Sequence, residues 1–409
     1  MSNPGQPRIL ILGGDLAGNL GDRAIRAVML DHIRGLAPDA DVCVVSREPE
    51  RDRDEFGVRV VASSAPALLG MPAFLRSLDA VLFGGGQLLQ DDSSQVKNMH
   101  WAVVLRGIRV LGRRPLIGYG IGIGPLQTAT GRFFAARALR ALNVCIVRDA
   151  RSAQWAAELT RNRVPVAVAP DPAIALRPES EAAARAYLAG TERVEPVPGE
   201  ILIGVAGRRF FPGRRGILPS AWTAGRSPEG PDFELFKERL ASAINRFAEG
   251  KKVRVLFFPL YQSAWQDDAK HARDVSARLT APSHVLGLRC TSRMVKALEG
   301  LCDLFVGVPM HSTIMAMGMG VPTLGLAYAD KTQDLFAELG MAHWSLPVAR
   351  LAAADGEPLF HDRLAQLYAR REEVRSALRS NWSALEARMS PYREWMTRLL
   401  QRTPAPCVR

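Results

Sequence analysis

The sequence lacks the cysteine and histidine spacings that hold metal ions or frame disulfides. Its seven histidines and five cysteines form no CxxC, HxH or HExxH pattern, so we predict no tight transition-metal site. The cysteines also form no paired framework, as is typical of small buried apolar residues in a reducing compartment. They are Cys43, Cys145, Cys290, Cys302 and Cys407.

A secretion signal and an unbroken membrane-spanning run are missing too. The first eight residues, MSNPGQPR, contain no apolar core, which argues against secretion. Residues 304–329 carry no formal charge, but glycines and prolines interrupt them and they include His311. That punctuation favours strand, turn, helix and strand over a membrane span. We therefore expect a soluble, cytoplasmic protein.

Acidic residues are under-represented. The chain has 53 basic and 41 acidic residues and a formal net charge of +12. Its positive residues are mostly arginine and are dispersed, with no nucleic-acid-binding motif, so we expect no nucleic-acid partner. A positive potential of this kind attracts small anionic substrates. Peripheral contact with the anionic inner face of a membrane is a further interpretation.

Apolar strand-like runs alternate with helical patterns in both halves of the chain, which predicts an α/β protein with parallel sheets covered on both faces. We predict an N-terminal Rossmann-like domain at 1–177, a linker at 178–200, a C-terminal Rossmann-like domain at 201–357 and a helical segment at 358–409. Two such domains in tandem place the carboxyl ends of their strands around one cleft, where ligands bind.

Glycine-rich segments follow two predicted strands of the first half. Residues 13–22 (GGDLAGNLGD) allow an anion to approach the backbone at a helix N-terminus, although an ordinary turn capped by Asp22 explains them equally well. Their spacing is not that of the dinucleotide fingerprint. Residues 84–94 (GGGQLLQDDSS) imply a ligand or another chain segment packed against the triplet that includes Gly85. Gln90 and Asp91 are then placed to bind sugar hydroxyls.

Two further segments in the first half end strands. Alternating glycines at 119–125 (YGIGIGP) predict a closely packed wall. Arg148, in the run Val147-Arg148-Asp149, is suited to bidentate capture of a carboxylate or phosphate. A surface pair between Arg148 and Asp149 is the alternative. Asp171-Pro172 is predicted to be a turn that closes the first domain.

The most informative segment lies in the second half. His311 stands between an apolar strand and a helix, and Lys331 occupies the same kind of position after the next strand. A histidine there is either a core residue or a proton donor in a cleft. Two neighbouring strand-to-helix junctions that carry histidine and lysine favour the second interpretation. The basic and aromatic loop 207–215 (GRRFFPGRR) is a candidate grip for a diphosphate or anionic lipid, or a solvated loop.

In this order, the segments resemble the polysaccharide pyruvyl transferase family, whose patterns are similar to GNxGD, GGGxLxQD, GxGIGP, VRDxxS, DP, RxHS and GVPxxxxxY followed by lysine. The resemblance implies a two-Rossmann arrangement as in GT-B glycosyltransferases, with phosphoenolpyruvate as donor and no cofactor. The acceptor would be a sugar of a surface glycan or its lipid-linked, diphosphate-bearing precursor.

The resemblance also implies roles for individual residues. Arg148 and Lys331 match donor-binding positions, and His311 matches the proposed catalytic acid. We hypothesise that Asp22 or Asp91 accepts the proton of the attacking hydroxyl. The other matches are candidate substrate-binding residues, namely Asn19, Gly85, Gln90 and Ser312.

One position departs from the family pattern. The arginine two residues before the histidine is replaced by Pro309, which removes a positive charge expected to hold the donor. Either Arg148, Lys331 or an arginine of the basic loop compensates for it, or the donor or the reaction differs. Two alternative functions also stay open. One is a glycosyltransferase that uses a nucleotide sugar, with Glu299 or Asp330 as the ribose-binding carboxylate. The other is a non-catalytic protein that binds a glycan precursor.

Overall fold

Two parallel β-sheets form the framework of the protein. The structure is a computed structural model that describes residues 6–14, 18–91, 96–209, 231–261 and 267–400. In this part of the chain the first sheet has seven strands, in the order β3-β2-β1-β4-β5-β6-β7, and the second has six, in the order β10-β9-β8-β11-β12-β13. Each sheet reverses its strand order once, between β1 and β4 and between β8 and β11. Such switch points are where doubly wound sheets bind ligands.

The strands of the first sheet are β1 (Arg8–Leu12), β2 (Asp41–Val45), β3 (Arg59–Ala62), β4 (Ala80–Leu89), β5 (Leu116–Ile123), β6 (Val144–Val147) and β7 (Val166–Val168). Those of the second are β8 (Ile201–Ala206), β9 (Val253–Phe257), β10 (Ser283–Val285), β11 (Leu304–Gly307), β12 (Thr323–Ala327) and β13 (Ser345–Pro347).

Helices connect these strands and extend beyond the second sheet. In the first domain they are α1 (Leu20–Leu36), α2 (Pro49–Phe56), α3 (Pro72–Ser77), α4 (Val96–Gly112), α5 (Ala129–Leu139) and α6 (Ala150–Thr160), and α7 (Glu181–Gly190) leads into the second. The others are α8 (Pro231–Ala248), α9 (Asp268–Ser276), α10 (Ser292–Glu299), α11 (Met310–Gly318), α12 (Asp330–Glu338), α13 (Val348–Leu351), α14 (Gly356–Ala369), α15 (Arg371–Ala387) and α16 (Ser390–Leu400).

The strands read as continuous apolar runs because both faces of each sheet are buried. In β1, Ile9 and Ile11 belong to one hydrophobic cluster, and Leu10 and Leu12 belong to another. Successive side chains of a strand point to opposite faces, so this division is the one expected of a sheet covered on both sides. The first of these clusters continues into the second domain and the C-terminal helices.

The last helix returns to the first domain. Helix α15 packs on the second domain, where Trp382 is the nearest contact for a side chain added at Gly318. Helix α16 then brings the Tyr392 ring to 4.4 Å from that of Tyr119 in β5. The Tyr392 hydroxyl donates a hydrogen bond to the carbonyl oxygen of Pro170, at 2.9 Å. The C-terminal helical segment therefore contacts both domains.

The predicted fold class and helical C-terminal segment are present, with differences in detail. The Gly84–Gly86 triplet and the 120–123 glycine segment lie inside β4 and β5, because both strands extend further than their apolar runs. Strand β10, at Ser283–Val285, begins before the apolar run at 285–288 rather than coinciding with it. None of the helices in the described ranges is both long and apolar enough to cross a bilayer.

Candidate active site

The two switch points face each other across a cleft whose rim is tied by direct contacts between the domains. Asn19, just before α1, forms an antiparallel bridge with Tyr261 of the second domain. The backbone N–H of Leu20 donates to the carbonyl oxygen of Leu260 at 3.0 Å. The Ser292 hydroxyl donates to the Leu20 carbonyl oxygen at 2.8 Å. The N-terminus of α1 is therefore held against the second domain.

His311 enters this cleft from the first turn of α11. Its side chain is 15% exposed, and the imidazole packs directly on the backbone of Gly21 in α1. A β-carbon added at Gly21 would lie 2.3 Å from the His311 Nδ1 atom, so only glycine fits there. The Nε2 atom faces the Asp171 carboxylate, with 3.5 Å between Nε2 and Oδ2. The second domain therefore supplies the imidazole and the first domain surrounds it.

Arg148 follows β6 and shares the Asp171 carboxylate with His311. Its Nη1 atom donates a hydrogen bond to Asp171 Oδ2 at 2.8 Å, and both side chains are buried. A β-carbon added at Gly122 of β5 would lie 2.8 Å from Arg148 Nη2, so this glycine makes room for the guanidinium. Burial would raise the pKa of Asp171, but His311, Arg148 and the Ala173 N–H together hold it well below its ordinary value. Asp171 is therefore a carboxylate.

Lys331, in the first turn of α12, reaches across to the first domain. Its Nζ donates to the side-chain oxygen of Gln87 in β4 at 2.9 Å and lies 5.6 Å from the centre of the Tyr328 ring. Burial lowers the pKa of Lys331, and the nearby positive charges of Arg148 and Arg208 lower it further. Conversely, Lys331 lowers the pKa of Tyr328. Lys331 and Arg148 therefore act on each other electrostatically in one cleft.

Asp22, in the first turn of α1, is a buried carboxylate beside His311. The oxygen Oδ1 would lie 3.0 Å from a β-carbon added at Gly86 in β4, so this glycine makes room for the carboxylate. Burial raises the pKa of Asp22 although His311, among other cations, acts to lower it. A carboxyl group whose pKa is raised is a better proton acceptor than an ordinary aspartate.

Asp91, the other candidate base, is used within the first domain. Its Oδ1 atom accepts a hydrogen bond from the Gln127 N–H at 2.8 Å. Its Oδ2 atom accepts one from the Thr128 N–H at 2.8 Å and one from the Thr128 hydroxyl at 2.6 Å. These contacts hold the segment that begins α5. The geometry therefore favours Asp22 over Asp91 as the base, and places Asp91 as a support of the cleft wall.

The other candidate substrate-binding residues have structural contacts. The Asn19 side chain caps α1 by accepting from the Gly21 N–H at 3.1 Å. Gly85 packs closely on Gly14, because a β-carbon added at Gly85 would lie 2.7 Å from the Gly14 Cα atom. The Ser312 hydroxyl is buried and donates to the Pro309 carbonyl oxygen at 2.7 Å. Gln90 is partly buried just after β4. Their substrate-binding roles stay predictions.

Two neighbours of the predicted residues, Asp171 and Gln87, were given no site role by sequence reasoning. Asp171 was interpreted as a turn residue, although its strand-end position, like that of Arg148, is a signal for a cleft. Gln87 stands at a variable position of its motif. Arg208 belongs to the basic loop predicted as a candidate diphosphate grip, and of that loop only 207–209 lie within the described residues. Among the described residues, no group of three histidine, cysteine or acidic side chains is arranged to hold a metal ion.

The two carboxylates proposed for ribose binding have positions that do not favour that role. Glu299 is completely buried at the end of α10. Asp330 pairs with Arg151 of the first domain, with 2.5 Å between Oδ2 and Nη1, and both side chains are exposed. Glu299 is inaccessible to a ligand, and Asp330 is already paired with Arg151.

Comparison with known proteins identifies the family. The model of a family described as "Polysaccharide pyruvyl transferase" matches residues 19–330. The chain belongs to this family. Membership in the polysaccharide pyruvyl transferase family makes the protein a transferase with a sugar acceptor. The matched residues include the candidate acid, His311, and the candidate base, Asp22.

Solved structures share the fold of this polysaccharide pyruvyl transferase family member at low identity. UDP-GlcNAc 2-epimerase from Neisseria meningitidis, bound to UDP-GlcNAc, has a TM-score of 0.59 at 10% identity, covering 97% of this chain and all of its own. Anabaena Alr3699/HepE, in complex with UDP and glucose, has a TM-score of 0.57 at 12% identity with the same coverage. ADP-heptose lps heptosyltransferase II from E. coli has a TM-score of 0.50 at 12% identity, over 90% of this chain and all of its own. The predicted GT-B-like arrangement is confirmed.

Proposed function

We propose that this transferase moves the pyruvyl group of phosphoenolpyruvate onto a sugar, forming a cyclic ketal with two of its hydroxyls and releasing phosphate. The observation that carries the proposal is the common environment of His311, Arg148 and Lys331. Asp171 contacts the first two at 3.5 and 2.8 Å. Lys331 donates to Gln87, whose partner in β5 is the Gly122 that packs on Arg148. An anionic enol phosphate reacts when a general acid protonates it while cations bind its carboxylate and phosphate, and these three side chains supply both.

The first step uses His311 as general acid. The imidazolium donates a proton to the methylene carbon of phosphoenolpyruvate, which becomes a methyl group, and positive charge develops on the carbon that carries phosphate and carboxylate. Arg148 and Lys331 bind the two anionic groups, and Asp171 holds Arg148 and faces the imidazole. A sugar hydroxyl then attacks the cationic carbon, and its proton passes to Asp22.

The second step closes the ketal. Phosphate leaves with the bonding electrons of its carbon–oxygen bond, and a neighbouring hydroxyl of the same sugar attacks the same carbon. Of the two hydroxyl protons, one replaces the proton that His311 gave, and the other leaves on the phosphate. The balance needs no redox partner and no cofactor. Because phosphoenolpyruvate is a cytoplasmic metabolite, the proposal includes a cytoplasmic reaction, at the inner membrane face if the acceptor is lipid-linked.

The test is transfer from phosphoenolpyruvate to a panel of sugars and diphosphate-linked sugars, performed in deuterated water. We expect phosphate release and a product whose ketal methyl group carries one deuterium, detected by mass spectrometry and NMR. His311→Asn should lower the rate by about 10²- to 10⁴-fold, the usual contribution of a general acid. His361→Asn, which replaces a histidine on α14, is the matched control and should leave the rate unchanged.

Nucleotide-sugar transfer is the competing reaction, since two of the structural relatives were solved with UDP-GlcNAc or with UDP and glucose. The same panel therefore includes UDP-sugars, with release of UDP as the readout. UDP release without phosphate release from phosphoenolpyruvate would overturn the proposal. Binding of a glycan precursor with neither release would indicate a non-catalytic protein and would overturn it as well.

A further inference from the structure

The second sheet places Arg208 beside Pro309 at its switch point. Strands β8 and β11 are neighbours, and Ala206, the last residue of β8, pairs in register with Gly307, the last residue of β11. The Val308 N–H continues the ladder by donating to the Ala206 carbonyl oxygen at 2.9 Å. Arg208 and Pro309 each follow two residues after this pair. They therefore occupy equivalent positions on adjacent strand ends.

Adjacent strands lie about 4.8 Å apart, which is less than the reach of an extended arginine side chain. A guanidinium that starts from residue 208 can therefore serve the same volume as one that starts from residue 309. The family pattern has its arginine at the position of Pro309. In this chain the cation is absent from the end of β11 and present beyond the end of β8.

The surroundings of Arg208 are those of the active site. Its guanidinium carbon lies 5.7 Å from the centre of the Tyr261 ring, and Tyr261 forms the bridge to Asn19 at the rim of the cleft. Arg208 interacts electrostatically with Asp22 and with Lys331. Arg208 therefore lies in the same electrostatic environment as the candidate base, Asp22, and the candidate donor-binding residue Lys331.

Arg208 is held in its charged form by this environment. Burial alone would lower the pKa of Arg208, but Tyr328, Asp268, Tyr261 and Asp22 together raise it above its ordinary value. A charged guanidinium with two parallel donors matches the oxygens of a phosphate or carboxylate.

We propose that Arg208 binds an anionic group of phosphoenolpyruvate, so that it replaces the arginine that the family has where this chain has Pro309. The proposal rests on the proposed function, because it concerns the donor of that reaction. It accounts for how a chain without the family arginine keeps three cations around the donor, namely Arg148, Lys331 and Arg208.

The first test is Arg208→Gln, which removes the charge and keeps most of the side-chain length. We expect the KM for phosphoenolpyruvate to rise roughly 10- to 100-fold, as for a lost hydrogen bond to a charged group, with a smaller change in kcat. Arg273→Gln removes the same charge from an exposed arginine on α9 and should leave both constants unchanged. A fall in kcat at unchanged KM would show that Arg208 acts only through Asp22, and would overturn the proposal.

The second test moves the cation from one strand end to the other. Pro309 has an extended backbone (φ −68°, ψ 131°) that arginine also adopts, so Pro309→Arg is a feasible substitution. Introduced into Arg208→Ala, this substitution should give a protein that binds phosphoenolpyruvate at least tenfold more tightly than Arg208→Ala alone. An Arg208→Ala, Pro309→Leu protein is the control and should recover nothing. Equal affinity in both double variants would contradict the equivalence of the two positions.

The two proposals fail in different ways. If the wild-type protein neither binds nor turns over phosphoenolpyruvate, the proposed function fails. If wild type turns it over and folded Arg208→Gln matches wild type in KM, only the role of Arg208 fails. Thermal unfolding of each variant shows that it is folded. If Arg208→Gln does not fold, Arg208→Lys is measured in its place. Lysine keeps the positive charge but lacks the two parallel donors of the guanidinium, so the KM for phosphoenolpyruvate should still rise.

Discussion

The Asp171 carboxylate of the first domain lies 3.5 Å from the His311 imidazole of the second. The same oxygen accepts a hydrogen bond from Arg148. One buried anion therefore orients both the candidate acid and a candidate donor clamp, and it does so across the interdomain cleft. Its position depends on the Asp171-Pro172 turn, where Asp171 also caps the following 3₁₀ turn by accepting from the Ala173 N–H at 3.0 Å.

Asp171→Asn should impair both catalysis and stability. Asparagine keeps the shape but leaves Arg148 with only the more distant Asp149 carboxylate, 3.9 Å from its Nε atom. We therefore expect kcat to fall at least about tenfold and the free energy of unfolding to fall by about 1–3 kcal/mol at pH 7. The pKa of Asp171 is lowered in the folded protein. Its contribution to stability is therefore present above the unfolded-state pKa, about 3.9, and is lost as the pH falls.

Chemical denaturation of wild type and Asp171→Asn at pH 7 and pH 3 tests this. The difference between the two proteins should be largest at pH 7 and smaller at pH 3, because at pH 3 the carboxyl group is protonated in the unfolded chain but still charged in the folded one. A difference that stayed constant over this range would show that the carboxylate charge is not what stabilises the turn.

Asp22→Asn and Asp91→Asn should separate catalysis from support. Asp22 is buried and its pKa is raised by burial, so its charge costs stability at high pH. We expect Asp22→Asn to lower kcat by about 10²-fold or more while keeping or raising the melting temperature at pH 8. Asp91→Asn should instead lower the free energy of unfolding by about 1–3 kcal/mol, because Asp91 accepts three hydrogen bonds.

The measurement is a pair of kcat and melting-temperature determinations on both variants. Loss of turnover in a fully stable Asp91→Asn protein would reverse the two assignments.

Gly21→Ala should disable the site without removing any polar group. A β-carbon at Gly21 would lie 2.3 Å from His311 Nδ1, so the imidazole must move from its place beside Asp171. We expect a loss of turnover of at least about tenfold, since misplacement by 1 Å can cost 10²-fold. Gly35→Ala, in the same helix with nothing within 4 Å of the added carbon, is the control. It should keep full activity and gain up to about 1 kcal/mol of stability.

Glu299→Gln should change how stability depends on pH. Both carboxylate oxygens of Glu299 are buried and have no hydrogen-bond partner among the described residues, and burial raises the pKa of Glu299 well above its ordinary value. The folded state therefore holds a proton that the unfolded state releases above about pH 4.3, so wild-type stability falls as the pH rises, by up to about 1.4 kcal/mol per pH unit.

Denaturation of Glu299→Gln between pH 5 and pH 7.5 should show a flatter profile and a growing advantage over wild type. The upper limit avoids Lys296, since burial lowers its pKa to about 8; above that value the folded state holds fewer protons than the unfolded one and stability rises again. Parallel profiles for the two proteins in this window would mean that Glu299 is ionised in the folded state.

Sequence reasoning predicted the sheets well because buried parallel strands are continuous apolar runs between turns. It missed β3 (Arg59–Ala62) and β13 (Ser345–Pro347), which lie at sheet edges and are too short to stand out as apolar runs. The strand-end positions of Arg148, His311 and Lys331 were readable from the same pattern, since the carboxyl ends of parallel strands meet at one edge.

The side-chain contacts within the site could not be predicted from the sequence. The contact of Asp171 with His311 joins residues 140 positions apart, and Lys331 reaches Gln87 over 244 positions. Nothing local in the sequence specifies such partners, because they depend on how the two domains meet. Likewise, Gly21 and Gly122 lack side chains where His311 and Arg148 need room. The positions of these glycines in the sequence gave no reason to connect them with those side chains.

The hydrogen bond from Tyr392 to Pro170 gives the final helix an influence on chemistry that its position in the chain would not suggest. A protein shortened to end before Ser390 would retain every strand of both sheets and the proposed acid, base and donor clamps. It would nevertheless lose the hydroxyl that anchors the residue preceding Asp171. Shortening the chain from that end would therefore impair catalysis as well as remove the buried Tyr392 and Met396 from the core.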